Sequence, residues 1–157
     1  MSFATAFGAK LAENKDLLRI RTFDMGGHTF KVKVPLTAEL EAMYKRSSEP
    51  DEALVQKYYD QLTGGFKGEI KDERIQVLED DFIIDGRSVR EASKDKAKTE
   101  ARIVEMLKLL VPEDAEFDMA TLTYDMVEEL FPFAIQIEMM EKIAETISPD
   151  YSKHKKK

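Results

Sequence analysis

No cysteine occurs in the 157 residues. Disulfides, thiolate nucleophiles and Cys-based metal sites are excluded together, and the composition fits a reducing compartment. Tryptophan is also absent, and histidine is limited to His28 and His154. One lies beside a glycine pair and the other in a lysine-rich tail, so neither a zinc set nor a Ser-His-Asp relay is supported. No apolar run approaches the roughly 20 residues of a membrane span. The opening MSFATAFGAKLAENKD has no basic region ahead of an apolar one, which is not the layout of an export signal. The expectation is a soluble cytoplasmic chain without membrane contact. A basic balance is missing too: the net charge of -7 argues against a nucleic-acid binder, which needs a cationic footprint for the phosphates.

What is there is unevenly placed. Residues 1–35 carry six Lys/Arg against three Asp/Glu, whereas residues 113–150 carry one Lys against eleven Asp/Glu. The chain is long enough for one core that buries most of its apolar surface. Its organisation reads as an arm or short helix over 1–15, a single α+β domain over 16–150, and a flexible basic tail over 151–157 with Lys153 and Lys155 to Lys157.

Phe3, Phe7 and Leu11 stand at helical spacing in the arm. DLLRIRTFDMGGHTFKVKVPL then gives two alternating runs around Gly26-Gly27, the clearest hairpin signal of the chain. A two-residue turn would set Arg21 against Val32 and Ile20 against Lys33, mixing charged and apolar groups on both faces. A three-residue loop, Met25-Gly26-Gly27, pairs Ile20 with Val32 and Thr22 with Phe30, and it is the expected register. It gathers Arg19, Arg21, Lys31 and Lys33 on one face, Arg21 opposite Lys31 and Arg19 opposite Lys33. Like charges so placed repel. Either they splay into water, or an acidic surface of the protein or of a partner neutralises them.

Thr37 is placed to cap a helix over 38–47, and a second helix follows over 51–63 until Gly64-Gly65. GGFKGEIKDE is turn-like, and RIQVLEDDFIID offers one or two short strands before Asp85-Gly86. Ser88-Val89-Arg90-Glu91 has the form of a capping box opening a helix that runs to about Leu110, before Pro112. The fold class expected is α+β, mainly α-helical, with an N-terminal hairpin.

Catalytic motifs fail in turn. Asp81-x-x-x-Asp85-Gly86 lacks the oxygen ligands of a calcium loop, with Ile83 and Ala92 at required positions. GGFKG lacks the phosphate-loop spacing, and no carboxylate pair is singled out for acid–base work. No catalytic, cofactor-binding or metal-binding residue is assigned; the reading is of a protein that is not an enzyme.

The last apolar stretch is VEELFPFAIQIEMMEKIAETI, in which Pro132 either kinks one helix or, as expected, starts a new one at its first turn. On a wheel of about 100° per residue, Phe133, Ile137, Met140, Ala144 and Ile147 form one stripe beside a second of Ile135, Met139 and Ile143. Their combined arc of roughly 160–200° exceeds the ~100° that a helix on a single core needs. The surplus is met either by a second internal neighbour or by a partner, for which methionine is suited. Gln136 falls inside this arc, and is expected at a rim where it reaches water. Partner contact is therefore assigned to Arg19, Arg21, Lys31 and Lys33 on the hairpin and to Phe133, Ile137, Met139, Met140 and Ile143 on the helix. A contact between the basic hairpin and the acidic helical region of another copy would be heterologous, and such contacts build rings or filaments.

KVKVPLTAELEAMYKR, EDDFIIDGRSVRE and LTYDMVEELFPFAIQIEMMEKI resemble tail assembly chaperones of long-tailed bacteriophages and prophages, over about Leu17 to Ile147. The resemblance implies a small α+β protein that self-associates and coats the tape measure protein while tail tube subunits polymerise around it, in the host cytoplasm and absent from the virion. It also implies a minor longer product made by ribosomal slippage, for which the codons of Lys155-Lys156-Lys157 offer an A-rich run. A dimeric secretion-type chaperone or adaptor for a protein client is the alternative.

Overall fold

The computed structural model describes residues 3, 5–64 and 73–148; the basic tail and most of GGFKGEIKDE lie outside them. The fold is α+β and mainly helical, with two small antiparallel three-stranded sheets and an N-terminal hairpin. The chain packs as two compact units, Met1–Glu41 with Ile103–Lys157, and Ala42–Arg102.

The first unit opens with the arm: a 3-10 turn at Thr5–Phe7, α1 over Ala9–Asn14 and a second 3-10 turn at Lys15–Arg19, none with a buried residue. Strands β1 (Ile20–Met25) and β2 (His28–Lys33) follow. Their register corrects the expected one. Met25 pairs with His28, Phe23 with Phe30, Arg21 with Val32 and Ile20 with Lys33, so the turn has two residues. Gly26 and Gly27 have φ of 62° and 79°, the pair of left-handed positions that a type I′ turn requires and whose twist matches that of the strands. Phe23, Met25, Phe30 and Val32 thus share one face, and all four belong to the core. The alternation of the strands is satisfied, with Arg21 at one end of that face and His28 at the other as its polar members.

Two later elements complete this unit. The helix from Val89 ends at Leu107 rather than Leu110, because Leu110–Val111 forms a strand against β2, pairing Lys31 with Val111 and Val32 with Leu110. Lys33 N donates to Leu109 O at 2.8 Å. The open edge of β2 supplies backbone partners that the last helical turn would have left to water. Met119–Thr121 makes a 3-10 turn, and helices follow over Tyr124–Leu130 and Phe133–Ile147, with Pro132 in the cap position between them. The core is Val32, Ile103, Leu107, Val127, Met139 and Ile143.

The second unit holds the end of α2 (Thr37–Ser48), α3 (Glu52–Thr63), a meander β3 (Ile75–Val77), β4 (Phe82–Ile84) and β5 (Arg87–Ser88), and the first turns of α4 (Val89–Leu107). With these named, Leu110–Val111 is β6, and the last two helices are α5 and α6. The sheet of the first unit has the order β1-β2-β6. Val55, Tyr58 and Ala97 form the small core of the second unit, with Leu54 against them. The Tyr58 hydroxyl donates to the buried Glu100 carboxylate, and Lys96 Nζ sits 4.3 Å over the Tyr58 ring.

The start of α4 is held as the capping signal requires, with one change of partner. Ser88 Oγ accepts from Glu91 N at 3.1 Å. The carboxylate is that of Asp81, which accepts from Arg90 N at 3.0 Å, from Phe82 N at 2.8 Å and from Ser88 Oγ. Burial raises the pKa of Asp81, but the Ser88 hydroxyl, the two backbone N–H groups and the Arg90 charge outweigh it and hold the group below its ordinary value.

Candidate protein-interaction site

The four hairpin cations do not share a face. Arg21 stands on the core side beside Val32, and its Nη1 donates to Thr146 O at 2.9 Å and Ser148 O at 3.4 Å. Those carbonyls close α6, where the helix dipole favours a cation. Arg19 donates through Nε to Val34 O at 2.8 Å and through Nη2 to Glu39. The Leu36 N–H, against a smaller opposing effect of burial, and then Arg19 keep the Glu39 carboxyl below its usual range. Lys33 Nζ lies 3.5 Å from Asp16. Three of the four are thus engaged within the protein, at three separate places, and Lys31 points into solvent from the sheet.

Helix α6 divides differently from the two stripes read on the wheel. Met139 and Ile143 are wholly buried in the core and have no surface left for a partner. Ile137 and Met140 are half-buried, Met140 against the same core, while Phe133 is 56% exposed. Gln136 corrects its expected position: it is 1% exposed. Its Oε1 accepts from Tyr124 Oη and its Nε2 donates to Phe131 O, both at 2.9 Å. The amide bridges α5 and α6 across Pro132, and its two bonds offset the cost of desolvating it.

The α5–α6 corner and the arm each carry several of the exposed apolar residues. Leu130 and Phe133 flank Pro132 at the α5–α6 corner, and Met126 precedes Leu130 by one helical turn; Glu128, Glu129, Glu138 and Glu141 are exposed around them. In the arm, Phe3, Phe7, Leu17 and Leu18 are all exposed. The sequence shows the helical spacing of Phe3 and Phe7, but not that the arm finds no cover.

Two grooves border the hairpin tip. One of about 460 Å³ lies between Met25, Phe30, Phe131, Ile135 and Met139. The other, of about 540 Å³, runs between β2, β6 and the segment after it, lined by Phe30, Val111, Pro112, Phe117 and Met119. His28 borders both grooves; its ring meets Phe30 edge-on at 4.6 Å, and its Nε2 lies 3.8 Å from Glu113. Comparison with protein-family models, curated proteins and solved structures returned no match.

Proposed function

We propose that the protein is a non-catalytic tail assembly chaperone of a long-tailed phage or prophage, which self-associates and binds the tape measure protein while the tail tube forms. The reading joins the resemblance of three segments to the surface that the last of them builds, and the observation that carries it is the α5–α6 corner. Leu130 and Phe133 are exposed there at a rigid position, fixed by Pro132 and by the buried Gln136 bridge. Exposed apolar residues rimmed by carboxylates suit a helical client that buries its own apolar stripe. In this role the chain works in the host cytoplasm and leaves before the virion is complete.

Co-expression with the tape measure protein of the same genome tests it. The expected result is a soluble complex that copurifies at fixed stoichiometry, and that Leu130→Glu with Phe133→Glu abolishes while the helical circular dichroism is kept. A tape measure protein that is equally insoluble with and without this chain would reject the reading. Capture of an exported protein by a discrete dimer would replace it with the secretion-type adaptor.

A further inference from the structure

The arm and the groove beside β6 are each incomplete. Phe3 and Phe7 are 84% and 63% exposed, and their rings meet each other edge-on at 5.1 Å. They stand on a segment with no buried residue. The groove offers about 540 Å³ with Phe30, Val111, Pro112, Phe117 and Met119 in its wall, a size and lining suited to aromatic side chains. Its rim is acidic on balance: Glu113, Asp114, Glu116 and Asp118 are all exposed, against Lys31 and His28 in the lining. The arm brings Lys10 and Lys15, both exposed, against Glu13, since Asp16 already faces Lys33.

Within one copy the arm does not fill the groove, since Phe3 and Phe7 stay exposed and no arm residue lines it. The arm leads into β1, one edge of the order β1-β2-β6, and the groove flanks β6, the other edge. The arm joins at the Ile20–Lys33 end, whereas the groove runs from Lys31 to His28. The Asp16–Lys33 contact ties the arm to its own side.

We propose that the arm of one copy docks in the β6 groove of a second copy, Phe3 and Phe7 entering between Phe117, Met119 and Val111, with Lys10 and Lys15 over the acidic rim. The contact is heterologous, because the surface that gives differs from the surface that receives, so each added copy leaves one free arm and one free groove. It deepens the self-association of the proposed function and rests on that part of the reading. The client corner at Leu130 and Phe133 takes no part in it.

Light-scattering mass of the purified full chain, without client, tests the contact over a concentration series. The wild type is expected to pass from one chain to several. Phe3→Ser with Phe7→Ser, and separately Phe117→Ser, should each raise the concentration of half-assembly by more than about tenfold, as loss of a central aromatic anchor does. An equimolar mixture of the two variants should stop at two chains, since it holds one working arm and one working groove. Met119→Gln replaces Phe117→Ser if the latter loses its circular dichroism. A wild type that stays at one chain throughout, an arm variant that assembles like the wild type, or a mixture of folded variants that stays at one chain would each overturn the proposal. Client copurification is read in a different experiment, so the two failures are distinguishable.

Discussion

Gln136 shows how one side chain joins two helices. The amide has no water to turn to at 1% exposure, so Tyr124 Oη and Phe131 O must satisfy it. Gln136→Leu keeps the apolar volume and takes a partner from both. The expected loss is about 1–3 kcal/mol of unfolding free energy, the range for a group whose buried partner is removed. Urea denaturation measures it, and a value near zero would mean that the bridge contributes nothing. Asp81 gives a pH-dependent counterpart. Its carboxyl is held below the ordinary value, first against the opposing effect of burial, by Ser88, Arg90 N and Phe82 N. The unfolded chain therefore binds the proton more readily, and stability is full above the usual aspartate range near pH ~3.9. It is lost as pH falls through the lower folded value. Asp81→Asn should cost about 1–2 kcal/mol at neutral pH and flatten the acid limb of a stability-versus-pH curve, with parallel acid limbs arguing against the role.

Among the elements, the hairpin turn is the sharpest case. Gly26 and Gly27 both have positive φ, and a Cβ added at either meets nothing within 4 Å. The cost of a side chain there comes from the backbone alone, ~1–2 kcal/mol for an L-residue in the left-handed region. Gly27→Ala should lower the thermal midpoint, whereas Gly26→Asn should be nearly neutral, since Asn-Gly is favoured in this turn. Equal losses from the two would argue against the type I′ geometry. β6 illustrates the opposite dependence. Leu110 and Val111 continue the apolar spacing of α4, a preference for helix that Pro112 weakens at Val111. Pairing with Lys31 and Val32, nearly eighty residues earlier, overrides that local preference.

For the whole molecule, burial is graded along the chain. β2, α4 and α6 supply Val32, Ile103, Met139 and Ile143 at full burial, while the arm before β1 has no buried residue. Amide hydrogen exchange should therefore be slowest in β2 and α6 and fastest over the arm. Arm protection should rise only at concentrations where the light-scattering mass exceeds one chain. An arm protected at all dilutions would mean that it is covered within its own molecule. The uneven charge has a related expression. Three of the hairpin cations are engaged singly, on Glu39, on Asp16 and on the end of α6, so the hairpin presents no single basic face to the acidic residues 113–150.

The sequence by itself determined the class of the fold and the place of most elements. Helix starts at Asp51 and Ser88, the breaks at Pro132 and Asp85-Gly86, and the hairpin at Gly26-Gly27 depend on interactions within about four residues, which spacing and residue type encode directly. The apolar surplus of α6 was also legible, because a period of 3.6 shows how wide a face is. What only the tertiary structure decided was where that surplus goes: Met139 and Ile143 into the core, Phe133 to the surface, and Gln136 to a bridge. It also decided the one-residue difference in register that scatters Arg19, Arg21, Lys31 and Lys33, and the conversion of Leu110–Val111 to a strand. Each of these depends on a group supplied by another element, and the physical reason is the same throughout. Burial and backbone pairing are satisfied across space, and local spacing carries no record of the partner.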